Sequence, residues 1–249
     1  ESIVRIRIEN THLEENELFD LRRSLSTIDC IVKILNHSDE DESHAEENDG
    51  WRREKKYTYP SLHLLAKDIV TFPQIVQRID QILDKFGKIR DNATPELLQI
   101  RRELAKTEGS ISRTLYSILR SAQSEGVVEK DVTPTLRDGR LVIPVIPTLK
   151  KKIKGIVHDE SATGKTVFIE PTEVVEANNR VRELEGEERK EIIRILTQFT
   201  NKLRPYTREI MDSYRFLAKI DLIQAKQKLA EIQKAIEPEV EDHPHIDWI

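Results

Sequence analysis

Glycine, sulfur and aromatic residues are all scarce in this chain. Only eight of 249 residues are Gly and 5% are aromatic, too little of either for the close turns and stacked rings of a sheet-rich enzyme; an all-β fold is excluded. A single Cys and a single Met rule out an intrachain disulfide framework and a soft-metal cluster, and the lone Cys30 fits a reducing cytosol. By type, Cys30 reads as a small apolar residue on a helix. The longest apolar run, Leu141 to Pro147, falls far short of the ~18 to 20 residues that span a membrane, so a soluble, cytoplasmic chain with no membrane partner is expected. The chain starts at Glu1 with no Met and no basic stretch leading into an apolar one, which reads as a segment of something longer without a secretory leader.

What is abundant is charge. Charged residues make up 34% of the chain and hydrophobic ones 37%, with a net charge of −5, the balance of long helices flanked by solvent. Leu18, Leu21, Leu25, Ile28, Val32 and Leu35 step by three and four, predicting a helix over about 14–36. Pro60 and Ser61 start another, running to Val70. Pro73 suits a first turn, from which Ile75, Ile79, Ile82 and Phe86 carry a stripe to a stop at Gly87. Between these lies an acidic insert, Asp39 to Asp49, with seven carboxylates and no Lys or Arg, expected to be a solvated loop.

Thr94 is placed to cap and Pro95 to open a helix of about thirty residues, whose stripe of Leu97, Ile100, Leu104, Ile111, Leu115, Ile118 and Ala122 ends at Gly126. At ~1.5 Å per residue this rod extends roughly 45 Å, and its far end is expected to project. A second rod starts near Thr172 with Val174, Val181, Leu184, Ile192, Ile195, Phe199 and Leu203. Pro205 is expected to kink or break it, before Ile210, Tyr214, Leu217 and Ile220 carry the pattern to about Ile236. Between the rods the texture changes to short β-rich runs: 132–136, 140–146, 152–157 and 166–169. Asp138 and Gly139 give a hairpin signal, and Pro144 and Pro147 suggest an edge strand or an irregular end. A helix out, a small antiparallel sheet and a helix back make a pincer arm.

Charge segregates in the same place. From Arg137 to Lys165 stand seven basic residues, Arg137, Arg140, Lys150, Lys151, Lys152, Lys154 and Lys165, against three acidic ones. That window is +4 and the remainder −9, which points to a polyanionic partner. It holds no Phe, Trp or Tyr, favouring phosphate contacts over base stacking.

Three other strings invite chemistry. SATGKT resembles the end of a phosphate-binding loop, but Asp159 stands where the first glycine is required, and Thr166 enters another β-like run; a turn at Gly164 is expected instead. His158, Asp159 and Ser161 lie too close along an extended segment to fold into a triad. DHPHID, Asp242 to Asp247, offers two His and two Asp for a metal, but Pro244 favours a linker.

LRDGRLVIPV (Leu136 to Val145) followed by GIVHDESATGKTVFIEPTEVVEANNRVREL (Gly155 to Leu184) resembles the signature of the second bacterial MutS-type subfamily, MutS-II. RDNATPELLQIRREL (Arg90 to Leu104) is similar to the helix leading into that motif, and LAKIDLIQAKQKLA (Leu217 to Ala230) to the returning helix. The likeness covers about Ser61 onward, with the N-terminal helix similar in pattern only, and Lys165 stands where the family pattern usually has a small or apolar residue.

The resemblance implies a mainly α fold: long antiparallel lever helices with a helical core and a small antiparallel β clamp subdomain inserted at the lever tip. The implied domains are 1–126 (helical core and ascending lever), 127–171 (β-rich clamp), 172–237 (descending lever and core) and 238–249 (linker toward an ATPase domain). It further implies a non-catalytic part of a homodimeric ATPase that contacts duplex or branched DNA, ribosomal RNA, or both, in suppression of recombination and rescue of stalled ribosomes. ATP and Mg belong to the full-length protein, and a Smr nuclease domain is carried by many members; no catalytic, cofactor or metal residue falls in this chain. The competing reading is a structural helical module that pairs with protein or dimerises through its apolar stripes without binding nucleic acid.

Overall fold

The computed structural model describes residues 1–9, 11–37 and 57–235. The acidic insert, DHPHID and the segment 238–249 lie outside the described residues. The fold is mainly helical with one small antiparallel sheet, and the chain divides into two compact units: Glu1–Thr11, Asn16–Asp80 and Lys202–Ile249 form one, His12–Glu15 and Gln81–Asn201 the other.

In the first unit, the short helix α1 (Ser2–Arg5) is followed by α2 (Glu15–Leu35), whose predicted stripe of Leu18, Leu21, Leu25, Ile28, Val32 and Leu35 is buried throughout. Its second half packs with Ala66 of α3 (Pro60–Ala66) and with Phe216. Phe216 lies on α7 (Thr207–Gln233), which follows a 3-10 turn over Arg204–Tyr206, the break anticipated at Pro205. The Arg204 guanidinium donates to the carbonyls of Ile6, Ile8 and Thr11, satisfying backbone acceptors in a segment with little regular structure of its own. Cys30 is exposed, contrary to its apolar reading: it follows Asp29 on the solvent side of α2, off the buried stripe.

The helix α4 (Pro73–Ile82) ends earlier than its stripe suggested. Leu83 and Ile89 pair in an isolated antiparallel bridge around Gly87, which has a φ of +80°, so Phe86 sits on the turn and is exposed. Beyond it, α5 (Pro95–Ser124) starts where the sequence places it: Thr94 Oγ1 accepts from the Leu97 N–H at 3.1 Å, and Pro95 occupies the first turn, where its missing donor has no cost. Gly126 closes the end with a φ of +70°.

Helix α6 (Val175–Leu203) runs antiparallel to α5. As numbers rise along α5, the α6 partners fall: Thr94 bonds Glu191 at 2.7 Å, Arg101 bonds Glu188 at 2.7 Å and Glu103 accepts from Arg180 at 2.9 Å. Within α6, Arg194 makes two 2.6 Å bonds to the same Glu191. These cations of the helix pair are therefore matched by its own carboxylates.

Between α5 and α6 lies a four-stranded sheet, β1 (Thr135–Arg137), β2 (Arg140–Val145), β3 (Gly155–Glu160) and β4 (Val167–Pro171), in the order β1-β2-β4-β3 with every neighbour antiparallel. Asp138 and Gly139 both have positive φ, 47° and 72°, the signature of a two-residue hairpin turn matched to strand twist. Pro144 lies beyond Val142, the last β2 residue paired with β1, so one side of β2 is unpaired there and tolerates a residue with no N–H. The run predicted over 132–136 shrinks to three residues because Gln123 Nε2 donates to the carbonyls of Glu129, Lys130 and Val132 and holds that stretch as a loop. The run predicted from 152 begins as a 3-10 turn over Pro147–Lys152.

One face of the sheet is the core of this end of the unit. Ile143, Val145, Val167 and Ile169 pack on Ile111, Leu115, Leu119 and Ala122 of α5, with Val174 and Val181 beside the start of α6. Only the C-terminal half of α5 and the first turns of α6 join this cluster, so the sheet sits at one end of the antiparallel helix pair.

Candidate nucleic-acid interface

On the other sheet face alternation places Phe168 and Glu170 of β4. Both are buried. Glu170 has no exposed side-chain surface, and three donors converge on it: Arg140 at 2.7 Å, His158 Nε2 at 2.5 Å and Asn178 at 2.7 Å. Arg140 also donates to Asn179 Oδ1 at 2.6 Å, and Asn178 to the Leu141 carbonyl at 3.3 Å. His158 reaches this position because it is the extra residue of a bulge: Val157 pairs with Ile169 and Asp159 already with Phe168, which re-aims the intervening side chain. Burial alone would raise the Glu170 carboxyl; the hydrogen bonds from Asn178, His158 and Arg140 outweigh it and hold the group below its ordinary range.

This cluster joins β2, β3, β4 and the start of α6 through one buried anion. Gly155 completes the fit, since a Cβ there would run into the Glu170 carbonyl oxygen and the Ile169 side chain.

The seven basic residues singled out by sequence therefore have different surroundings. Arg140 is 14% exposed and spent on Glu170 and Asn179, a difference from the expected surface contact that arises because its counter-ion lies thirty residues away along the chain. Arg137 is exposed and lies 4.3 Å over the Phe168 ring. Phe168 stands just beyond the aromatic-free window, so the basic face does carry one ring, used against protein. Lys150, Lys151 and Lys152 end the 3-10 turn, and with Lys154 they form one exposed run interrupted only by the buried Ile153. Lys152 and Lys154 border a recess whose floor includes Ile118, Ala122 and Ile153 and whose rim also bears Glu125 and Glu173. Lys165 is exposed in the β3–β4 turn, roughly 20 Å from Lys154 at ~3.3 Å per strand residue. The structure thus gathers Lys150 to Lys154 and leaves Lys165 apart. Among the described residues none of these five lysines makes an ion pair, unlike Arg101, Arg180 and Arg194 on the helices.

SATGKT is the hairpin connection between β3 and β4. The Ser161 N–H donates to the Thr166 carbonyl at 2.8 Å and the Gly164 N–H to the Ser161 carbonyl at 2.7 Å, with Gly164 at a φ of +66°. Asp159 uses its carboxylate on the Glu160 N–H. With these amides spent and a carboxylate beside them, the residues do not fit the phosphates of ATP or their Mg. His158 is held on Glu170, while Ser161 Oγ accepts from the Thr166 N–H at 3.0 Å, so the two are not arranged as base and nucleophile. Among the described residues no group of His, Cys, Asp and Glu could hold a metal, and no helix is long and apolar enough to cross a membrane.

Sequence reasoning passed over Glu170, Asn178, Asn179 and Phe168 as site residues. Their signal was present: an acidic residue inside the apolar run VFIEP has to be satisfied when that run is a central strand.

No protein-family model matches the chain. Among curated proteins it is similar to Endonuclease MutS2 of Levilactobacillus brevis, 40% identical over 231 residues, and of Lacticaseibacillus paracasei, 36% over 226 residues. The same protein of Enterococcus faecalis is 34% identical over 230 residues. These alignments cover 93%, 91% and 92% of the chain but span only 27% of each relative. With the signature from Leu136 to Leu184 laid out as a sheet between antiparallel helices, and nine-tenths of the chain aligned to MutS2 proteins of several bacteria, the chain belongs to the MutS-II family.

Proposed function

We propose that this region is the non-catalytic clamp and lever part of a MutS-II protein and that its sheet contacts the phosphates of duplex or branched DNA, of ribosomal RNA, or of both. The observation that carries this reading is the clustering of charge: Lys150, Lys151, Lys152 and Lys154 form one exposed run leading into β3, Lys165 is exposed in the β3–β4 turn, and among the described residues none of the five makes an ion pair. Flexible ammonium groups held this way suit sequence-independent phosphate contact. Arg137 adds a guanidinium at the β1–β2 hairpin, and Arg140 acts indirectly by fixing the sheet on Glu170.

In this reading the antiparallel helices transmit motion between the sheet and an ATP-binding domain elsewhere in a homodimeric full-length protein, which supplies the ATP and Mg chemistry. Suppression of recombination and rescue of stalled ribosomes are the corresponding cellular roles. Co-purification of the full-length protein from cells, with sequencing of crosslinked nucleic acid, tests it. Enrichment of branched DNA or of ribosomal RNA with crosslinks in residues 137–165 is the expected result. Crosslinks absent from that segment overturn the assignment.

The structural-module reading finds its own support in α7, where Leu222, Leu229 and Ile232 are exposed at helical spacing. Nucleic-acid affinity separates the two readings.

A further inference from the structure

The β3 edge of the sheet is open, since β4 is its only strand neighbour among the described residues. The direction of its backbone groups follows from the ladder. The Thr172 N–H donates to the Lys154 carbonyl at 3.1 Å, so Lys154 and, two residues on, Ile156 turn their backbone groups toward β4. Gly155 and Val157 therefore turn theirs outward. After the bulge the phase is reset by the Ser161 to Thr166 bond; Glu160 faces outward, and its N–H is taken by the Asp159 carboxylate.

Exposed edges are commonly protected by charge and by bulges. Here the bulge at His158 falls after Val157 and leaves Lys154 to Val157 regular. Ile156 and Val157 are 49% and 44% exposed, on opposite faces of the strand. The charges are sorted rather than dispersed: Lys150, Lys151, Lys152 and Lys154 lie at the N-terminal end of β3, and Asp159 and Glu160 at the C-terminal end. Parallel pairing of two such edges sets lysine against lysine. Antiparallel pairing sets each lysine end against the other copy's acidic end.

We infer that β3 is a self-complementary edge that pairs antiparallel with β3 of a second copy of this chain. The dyad passes through Ile156. Gly155 of each copy then lies opposite Val157 of the other, and their outward N–H and C=O groups form four new hydrogen bonds. Ile156 faces Ile156 of the second copy across a position without hydrogen bonds, where Cα atoms are about 4.5 Å apart. Lys152 and Lys154 lie beside the His158 to Glu160 segment of the other copy. One strand pair is a small contact, so the association is weak and concentration-dependent for the chain by itself. It joins two sheets edge to edge and needs no nucleic acid, so although Lys152 and Lys154 serve in both, it is tested separately from the proposed phosphate contacts.

The test uses sedimentation of the 249-residue chain without nucleic acid over a wide concentration range, with circular dichroism to verify helicity. The parent should shift from monomer to dimer. Ile156→Lys, a change at a half-exposed site, should weaken association at least about tenfold, as should the pair Lys152→Glu with Lys154→Glu, and Glu160→Lys. A mixture of the last two variants should regain dimerisation, because every lysine end then meets an acidic end. In a Cys30→Ser background, Ile156→Cys should form an intermolecular disulfide under mild oxidation, a spacing that a disulfide spans. A parent chain that stays monomeric together with an Ile156→Cys variant that forms no disulfide, a dimer unaffected by Ile156→Lys, or a mixture that fails to reassociate overturns the inference.

Discussion

Replacing Glu170 by Gln tests whether the buried anion holds the sheet together. The side chain has no exposed surface and takes three hydrogen bonds, from Arg140, His158 and Asn178. Gln keeps the volume, so no cavity contributes. It removes the counter-charge of Arg140, itself only 14% exposed, and turns an N–H2 toward groups that also donate. Removing one partner of a buried ion pair costs about 3 to 5 kcal/mol. Arg140 keeps Asn179 as an acceptor, which puts the expected loss near the lower end of that range, about 3 kcal/mol. Urea unfolding followed by circular dichroism, with hydrogen exchange of the β4 amides, measures it. Arg140→Met in the same background should recover part of the loss, because the stranded cation is then gone. A loss under about 1 kcal/mol, or two substitutions that simply add, would refute the claim that this pair is strongly coupled.

Acidification should weaken the same unit. Glu170 is held low by the bonds from Asn178, His158 and Arg140 that outweigh its burial, and Glu191 chiefly by Arg194. For such groups the unfolded state takes up protons first as pH falls. Their stabilisation is complete above the ordinary carboxylate range and is lost as pH drops from about 4.5 through the folded values. Urea midpoints across pH should fall there, with a shallower fall in Glu170→Gln. Gly155→Ala should destabilise the sheet by about 1 to 3 kcal/mol, because its Cβ meets the Glu170 backbone and the Ile169 side chain; an unchanged melting curve contradicts that packing. Calorimetric titration of the chain with Mg-ATP should be flat and indifferent to Lys165→Ala, and micromolar binding lost in that variant would restore SATGKT as a phosphate loop.

The helices are legible in the sequence where short-range chemistry decides. Thr94, Pro95 and Gly126 mark both ends of α5, and the α2 stripe from Leu18 to Leu35 is the buried face. Phe86 departs from its stripe because apolar spacing continues past the residues at which Gly87 turns the chain. The 3-10 turn over Pro147–Lys152 is hard to tell from the start of a strand, since Pro147 and three lysines carry no period of either kind. The lysine run is visible as composition. The burial of Arg140 is not, because its partners on β4 and α6 become neighbours only when the sheet forms.

The central claim, phosphate contact by the sheet's lysines, is tested most directly by the salt dependence of duplex binding. Neutralising about three to five phosphates at roughly −0.9 each predicts a slope of log K against log salt near −3 to −4. Replacing Lys150, Lys151, Lys152 and Lys154 together by Glu should abolish binding at low salt with helicity and melting temperature nearly unchanged, as expected for exposed lysines without ion pairs among the described residues. Equal binding of DNA and ribosomal RNA by parent and variant across the titration would contradict the account.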